Sequence, residues 1–186
     1  LDNYEIYTTE EYWTPFPRSP QVMEFRHAGQ DYVVINNHFK CCGDGVLRSE
    51  REWDEEARRE SAVGLLKAYV DEHFAGRRVL VVGDLNDSLT DSVEDNVFMA
   101  WLEDPKNYRF ADMEVAEGDP EDWSFPSYPS HIDHILVSGS LFEAVEDQAS
   151  AVWSVPVDRL AFGGWWDYQE RVSDHRPVAL RVASGL

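Results

Sequence analysis

The chain has 186 residues, of which 43% are hydrophobic and 13% aromatic. This length and composition predict a single domain, residues 1–186, with a core large enough to exclude intrinsic disorder. The chain carries 16 basic and 36 acidic residues, a formal net charge of −20. The acidic excess argues against a protein that coats nucleic acid, because neutralising phosphates requires clustered Lys and Arg. It does not exclude an enzyme that reaches phosphate through a metal ion.

The apolar residues are dispersed along the chain rather than gathered in one long run. No apolar run approaches the roughly 18 residues that a membrane span needs, so the sequence predicts no transmembrane segment. The chain does not open with a positively charged and then apolar leader. We therefore expect an export signal to be absent or already removed.

The first half of the chain predicts several strands and one long helix. A strand within the first twenty residues runs into a turn bounded by prolines. Residues 22–26 and the β-branched run at 32–35 predict two strands joined by a hairpin. Apolar residues at helical spacing predict a helix over Arg51–Phe74, and Val79–Val82 predicts a further buried strand.

The second half is richer in strands. Residues Val93–Leu102 predict a short helix, and Ile132–Val137 and Val152–Val157 predict two strands. Residues 158–173 carry Trp and Gly and read as a loop before a last strand at Pro177–Val182. Strands that alternate with helices early and dominate late predict a mixed-sheet α/β domain.

The two cysteines are adjacent, at Cys41 and Cys42. A disulfide scaffold needs cysteines spread along the chain, so this pattern favours two free thiols at a strand end. A strained vicinal disulfide is the alternative. Zinc has little support, because neighbouring side chains point apart and the sequence has no second cysteine pair.

Four predicted strand ends carry polar residues that can bind metal or move protons. Asp84 and Asn86 lie two residues apart, so both can face one side of an extended segment. Their oxygens suit a hard cation such as Mg²⁺, although Gly83, Asp84 and Asn86 also favour a simple turn. The four segments are Asn36-Asn37-His38, Gly83-Asp84-Leu85-Asn86, His131-Ile132-Asp133-His134 and Ser173-Asp174-His175.

Asp133 lies inside an apolar predicted strand, where an unpaired carboxylate is costly. A histidine partner solves this cost, because Asp fixes the tautomer of the ring and stabilises its charged form. We predict His175 as this partner. His131 and His134 are the rival partners.

In chain order, the four segments resemble the motifs of the endonuclease/exonuclease/phosphatase superfamily, which has the deoxyribonuclease-I-like fold. Those motifs are Asn-His after a strand, Gly-Asp-x-Asn, Ile-Asp-His-Ile-Leu and Ser-Asp-His-Arg-Pro. The resemblance implies an α/β fold, a four-layer α/β/β/α sandwich of two mixed β-sheets. It extends from Leu1 to about Val182.

Members of this superfamily normally begin with a strand bearing Asn and a strand ending in Gln-Glu, whose Glu is a principal metal ligand. The resemblance begins after these elements, so we expect the N-terminal strands to be missing from this chain. An N-terminal companion segment or a second chain would supply them. We also expect weak metal binding and little activity from this chain alone.

The resemblance implies metal-dependent phosphoester hydrolysis, as by a phosphodiesterase or nuclease. His175 would be the general base held by Asp133, and His38 would contact a phosphoryl oxygen or protonate the leaving group. The cofactor would be Mg²⁺ or Mn²⁺, with Ca²⁺ as an alternative. The implied catalytic residues are His38, Asp84, Asn86, Asp133 and His175, and the implied metal ligands are Asp174, Asp84 and Asn86. A remnant that binds a partner or phosphate without turnover is the alternative function.

The resemblance implies a phosphoester substrate, which is nucleic acid, a nucleotide or a phospholipid head group. The candidate substrate-binding residues are Asn37, Lys40, Trp165 and Trp166. The two tryptophans could pack the loop down, stack on a base or insert into lipid. The segment Asn36–Lys40 with Gly43-Asp44-Gly45 looks closest to secreted bacterial nucleases of this superfamily. It therefore implies an extracellular or periplasmic location.

Overall fold

The computed structural model describes residues 1–183, which form two β-sheets flanked by helices. The strands are β1 (Asp2–Glu5), β2 (Gln21–His27), β3 (Gln30–His38), β4 (Arg78–Asp84), β5 (Tyr108–Phe110), β6 (Asp133–Ser138), β7 (Ala151–Ser154) and β8 (Val178–Arg181). The helices are α1 (Thr9–Tyr12), α2 (Glu55–His73), α3 (Met99–Leu102), α4 (Met113–Ala116), α5 (Phe142–Glu146) and α6 (Gly164–Arg171). None of these helices combines the length and apolar character of a membrane span.

The large sheet has the order β1-β2-β3-β4-β6-β5, and β7 and β8 form a small second sheet. Strands β3 and β4 are parallel, whereas the other paired strands are antiparallel. A parallel pair needs a crossover, and α2 provides it. The prediction of a mixed α/β fold with two sheets is confirmed.

The two faces of the large sheet have different partners. On one face, Val79 shares the main core with Leu66 of α2. On the other face, Ile135 packs in a second core with Val178 and Leu180 of the small sheet. The order of layers is therefore α2, large sheet, small sheet. Because strand side chains alternate between faces, each residue position also decides which layer a side chain meets.

Helix α2 begins four residues later than the sequence predicted. The Asp54 side chain accepts a hydrogen bond from the backbone N–H of Ala57 at 3.2 Å, which caps the helix at this point. Before the cap, the Asp54 N–H bonds to the Arg51 carbonyl at 3.0 Å and closes a turn. The charged residues that looked like a helical face therefore belong partly to this turn.

Two predictions in the second half were wrong. The predicted helix over 93–102 is reduced to α3, because the Asn96 side chain bonds to the loop backbone at Leu89 and Phe98 instead. The predicted loop over 158–173 contains α6 and a short 3₁₀ segment, Val157–Leu160. Glycines before α6 obscured the helix in the sequence. Strands β5 and β7 are also short, and β5 was not predicted.

Gly83 permits the close pairing of β3 and β4. Its φ of 128° is a backbone conformation that other residues rarely adopt. A Cβ atom at this position would lie 1.9 Å from the Asn37 carbonyl oxygen. A side chain would therefore push the two strands apart where both reach the predicted site.

Replacement of Gly83 with Ala should destabilise the protein by about 3 kcal/mol, from backbone strain and overpacking together. The matched control is Gly64→Ala, in the exposed interior of α2, where a new Cβ meets no atom within 4 Å. That control should be neutral or stabilising by about 0.5–1 kcal/mol. Urea unfolding of both variants measures the difference, and equal stabilities would contradict the steric argument.

Candidate active site

Three adjacent strands bring three predicted site residues side by side. In the parallel pair β3–β4, His38 is opposite Asp84, and in the antiparallel pair β4–β6, Asp84 is opposite Asp133. Residues paired in register point to the same face of a sheet. His38, Asp84 and Asp133 therefore form a row at one end of the face that packs against the small sheet. Within this row, the His38 Nε2 atom is 3.4 Å from Asp84 Oδ2.

His175 reaches this row from the segment before β8. Its Nδ1 atom lies 2.7 Å from Asp133 Oδ2, and this pairing is the one that the sequence predicted. The Tyr168 hydroxyl donates to the His175 carbonyl at 3.2 Å, and the Ser173 hydroxyl oxygen accepts from the His175 N–H at 3.0 Å. The Phe125 ring packs 4.9 Å from the imidazole centroid. These contacts fix the ring and leave Nε2 without a protein partner among the hydrogen bonds of residues 1–183.

The charges of the row act on one another. The hydrogen bond to Asp133 raises the pKa of His175. Burial, reinforced by the neighbouring Asp133 carboxylate, raises the pKa of Asp84 to about 6. Burial and the nearby Arg18 charge lower the pKa of His38. The site therefore combines one imidazole with a raised pKa, a carboxyl with a pKa of about 6 and a second imidazole with a lowered pKa.

Asp84, Asp133 and His175 each offer a ligand atom, and these atoms lie within 4.8 Å of one another. Two facing carboxylates repel each other in a half-buried place, and a divalent cation would relieve that repulsion. Oxygen donors are also the ligands that hard cations prefer. The donor set fits a divalent metal.

Asp174 and Asn86 were predicted as metal ligands, and the structure treats them differently. Asp174 is exposed and is not part of this group of ligand atoms. Asn86 lies beside the row in a left-handed conformation, with φ of 56°. Its N–H bonds to Asp84 Oδ1 at 3.0 Å and its Nδ2 to the Phe39 carbonyl at 3.2 Å. Asn86 thus braces Asp84 directly.

The predicted substrate-binding residues do not all reach the cleft. Asn37 is buried on the helix side of β3, since it alternates with His38, and its Nδ2 bonds to the Ile35 carbonyl at 2.9 Å. The prediction for Asn37 is therefore corrected, since its side chain points away from the cleft. Its exposed neighbour Asn36 faces the same side as His38. Lys40 lies at the strand end, with Nζ 2.9 Å from the Cys41 carbonyl.

The two predicted tryptophans lie on α6. Trp165 packs near Tyr168 and donates to the Ser127 hydroxyl at 3.2 Å, so it holds the loop together. Trp166 is 75% exposed. Of the pair, only Trp166 presents most of its surface to solvent.

A pocket of about 290 Å³ opens next to the row, lined by Asn36, Val82, Gly83, Asp133, His134, Ile135 and Val178. A larger groove of about 740 Å³ lies between β5 and β7, and its lining includes none of the predicted site residues. The chemistry of the row, rather than the size of the groove, identifies the candidate site.

Asp112 organises the buried side of the site and was not predicted. Its Oδ2 lies 2.7 Å from His134 Nδ1 and 2.9 Å from His131 Nε2, so both rivals for Asp133 are engaged elsewhere. The Nε2 of His134 then lies 2.8 Å from the carbonyl oxygen of Asp87, next to Asn86. Asp112, His131 and His134 form what we call the Asp112 centre. In the sequence it was signalled by two histidines, His131 and His134, for which Asp133 could not be the partner of both.

Similarity to known proteins agrees with this arrangement. The model of the Endonuclease/Exonuclease/phosphatase family matches residues 3–175. No curated protein matches the sequence. Solved structures share the fold at low identity, so they support the architecture and not an activity.

Three solved structures illustrate this fold similarity. Danio rerio TDP2 complexed with a single-strand DNA product has a TM-score of 0.65 and 12% identity, over 99% of this chain and 68% of that one. Truncated Caenorhabditis elegans TDP2 has 0.60 and 16%, over 98% and 64%. An endonuclease/exonuclease/phosphatase from Bacteroides vulgatus has 0.50 and 14%, over 91% and 58%. The chain thus spans 58–68% of the length of these three proteins.

Replacement of Asp133 with Asn should lower the pKa of His175, because the hydrogen bond that raises it loses its charge. NMR titration of the His175 ring measures this pKa without requiring activity. The matched control is Asp174→Asn, which removes an exposed neighbouring carboxylate with a smaller effect on the same ring. Equal changes in the two variants would show that Asp133 is not the principal partner.

The Asp112 centre should make the stability depend on pH. Burial alone would raise the pKa of Asp112, but His134 and His131 lower it. The contribution of Asp112 to the stability of the fold is therefore lost only in acid. The pKa of His134 is raised against the effect of burial by Asp112, so its contribution fades as the pH rises through that value. The pair therefore stabilises the fold most between about pH 4 and 6.5.

Replacement of Asp112 with Asn should cost about 3–5 kcal/mol at pH 6, since it leaves a buried histidine unpaired. The cost should shrink as the pH rises from 6 to 9, toward and through the raised pKa of His134. Urea unfolding at both pH values measures this, with Asp31→Asn on the exposed surface as a control that should change little. A cost that is independent of pH would contradict a charged His134.

Proposed function

The chain belongs to the endonuclease/exonuclease/phosphatase family, and on that basis we propose that it is a divalent-metal-dependent phosphodiesterase of the nuclease type. The activities that give the family its name all break phosphoester bonds. The observation that carries the proposal is the His175–Asp133 pair beside Asp84 and His38 at one sheet edge. Such a constellation has a base and groups that can accept the charge of phosphate transfer.

His175 is the proposed general base. Asp133 occupies Nδ1, so in the neutral ring the bare Nε2 faces away from the carboxylate and can take a proton from water. Asp133 stabilises the charged ring that results, which is why the pKa of His175 is raised. The contacts from Tyr168 and Phe125 restrict the ring to this orientation.

His38 is the proposed ligand of a phosphoryl oxygen. Its lowered pKa favours the neutral ring, which donates an N–H hydrogen bond but is a weak acid. This role therefore fits His38 better than protonation of the leaving group. In the free protein the His38 Nε2 atom lies 3.4 Å from Asp84 Oδ2.

Asp84 and Asp133 are the carboxylates proposed to hold Mg²⁺ or Mn²⁺, with Asn86 bracing Asp84 and Asp174 exposed next to His175. When bound, the cation would neutralise charge on the phosphoryl oxygens. Deprotonated Asp84 is the form that can bind it, so the raised pKa of Asp84 predicts weaker metal binding below about pH 6.

A single nucleic-acid strand or a nucleotide is the proposed substrate. The net charge of −20 disfavours a wide groove that binds duplex DNA. A narrow row of residues at the ends of three β-strands requires contact with only one nucleic-acid strand. The similarity in fold to a TDP2 complexed with a single-strand DNA product is consistent with this class. We also propose an extracellular or periplasmic location, from the motif likeness of Asn36–Gly45 to secreted nucleases.

Hydrolysis of bis-p-nitrophenyl phosphate and of p-nitrophenyl phosphate, each with Mg²⁺ and with chelator, tests the proposal. We expect the diester to be cleaved faster, and chelator to abolish cleavage. His175→Gln should reduce turnover about 10²–10⁴-fold, the usual worth of a general base.

The matched control is His73→Gln, an exposed histidine at the end of α2. It should retain full activity. Faster cleavage of the monoester would indicate a phosphatase, and a folded protein that cleaves neither ester would favour binding without turnover.

A further inference from the structure

The adjacent cysteines lie in the loop that follows β3, and the proposed reaction uses neither thiol. Both thiols are free and exposed. The sequence predicted that neighbouring side chains point apart, yet the two Sγ atoms are 2.9 Å apart. The Cys42 backbone is in the left-handed region, with φ of 74°, so the two residues do not form a regular extended pair.

A buried arginine holds this loop from below. Arg59 of α2 is 2% exposed, and its Nη1 donates to the carbonyls of Lys40 and Cys42, both at 2.8 Å. The same guanidinium is paired with Asp87 at 2.8 Å. The backbone is therefore fixed on both sides of Cys41, and the two thiols stay together. Two groups held in this way react as if at high local concentration.

The two thiols are chemically unequal. The hydrogen bond from Cys42 and the nearby Lys40 charge lower the pKa of Cys41, whereas the same bond raises the pKa of Cys42. Lys40 Nζ lies 3.7 Å from Cys41 Sγ. Cys41 is thus the better nucleophile, and Cys42 lies ready to attack any adduct that forms on it.

We propose that Cys41 and Cys42 form a redox-modification site that a small-molecule disulfide oxidises to a vicinal disulfide. The Cys41 thiolate attacks one sulfur of the small disulfide, forms a mixed disulfide and releases one thiolate. The Cys42 thiol then loses its proton and attacks Cys41 Sγ, which closes the Cys41–Cys42 bond and releases the second small thiol. The protein dithiol is oxidised, and one small disulfide is reduced to two thiols.

The modification site is coupled to the phosphate-binding edge, an inference that rests on the proposed function. The loop begins at Phe39, whose N–H bonds to the Asp84 carbonyl at 2.9 Å and whose carbonyl accepts from Asn86 at 3.2 Å. The charged groups around Cys41 are Lys40, Arg18, Arg58 and Glu55. Closure of the Cys41–Cys42 bond leaves no ionisable thiol, and therefore no thiolate charge, beside this edge. Phosphate should therefore bind about two- to fivefold more tightly to the oxidised form.

Incubation of the whole chain in glutathione buffers of rising oxidised fraction tests the chemistry. Free thiols are then blocked with N-ethylmaleimide and counted by intact-protein mass spectrometry. We expect the wild type to pass from two maleimide adducts to none, without bound glutathione and without a covalent dimer. Persistent glutathione adducts, disulfide-linked dimers or an unreacted dithiol would overturn the proposal.

Two single variants assign the roles of the thiols. Cys42→Ser should trap glutathione on Cys41, because the second attack is lost. Cys41→Ser should react more slowly with oxidised glutathione. Equal rates in the two variants would contradict the assignment of Cys41 as the attacking thiol, and this readout does not depend on hydrolytic activity.

Calorimetric titration with inorganic phosphate at pH 8 tests the coupling, on the reduced and oxidised wild type. The Cys41→Ser/Cys42→Ser double variant should bind phosphate identically in both buffers. Equal affinity of the two wild-type forms would overturn the coupling, even where the disulfide forms. Failure of the hydrolysis assay alone would refute the proposed function and leave the thiol result unaffected.

Discussion

Strand pairing forces two carboxylates, Asp84 and Asp133, to lie side by side on adjacent strands. Like charges in this position repel each other, and partial burial increases the cost. Each neighbour in the row reduces this cost in a different way. His175 bonds to Asp133, His38 approaches Asp84, and the Asn86 backbone N–H bonds to Asp84. The negative charge that remains on the two carboxylates is well suited to bind a cation, and a bound cation suits phosphate chemistry.

Polar groups behind the row hold it in place. Asp112 joins β6 to the segment after β4 through His134 and the Asp87 carbonyl. Arg59 joins α2 to the same segment and to the loop after β3. Both centres are buried, and both contact Asp87: His134 bonds to its carbonyl oxygen and Arg59 to its carboxylate. Buried polar interactions therefore support the site from behind. Removal of a side chain from either centre should disturb the positions of the row residues.

Much of this site could be predicted, because short motifs at strand ends carry their own geometry. The Asp133–His175 pair was predictable since a carboxylate in an apolar strand needs a partner. Asn37 was misplaced because the motif names three polar residues, and only the exact strand register decides which of them face the cleft. Asp112 follows β5, which has three residues and too little periodicity to detect. Helix α6 was missed because its tertiary contacts outweigh the glycines at its start.

The residues of the site are synthesised in a fixed order. The β3–α2–β4 unit is one continuous stretch of sequence, and it already contains His38, Asp84 and the dithiol loop. Asp133 and His175 are 42 residues apart and close the other half of the row. A nascent chain that folds from its N-terminal side would thus present His38 and Asp84 before it contains Asp133 or His175. The ribosome-bound intermediate would therefore lack both the second carboxylate and the base, and the last third of the chain would complete the two together.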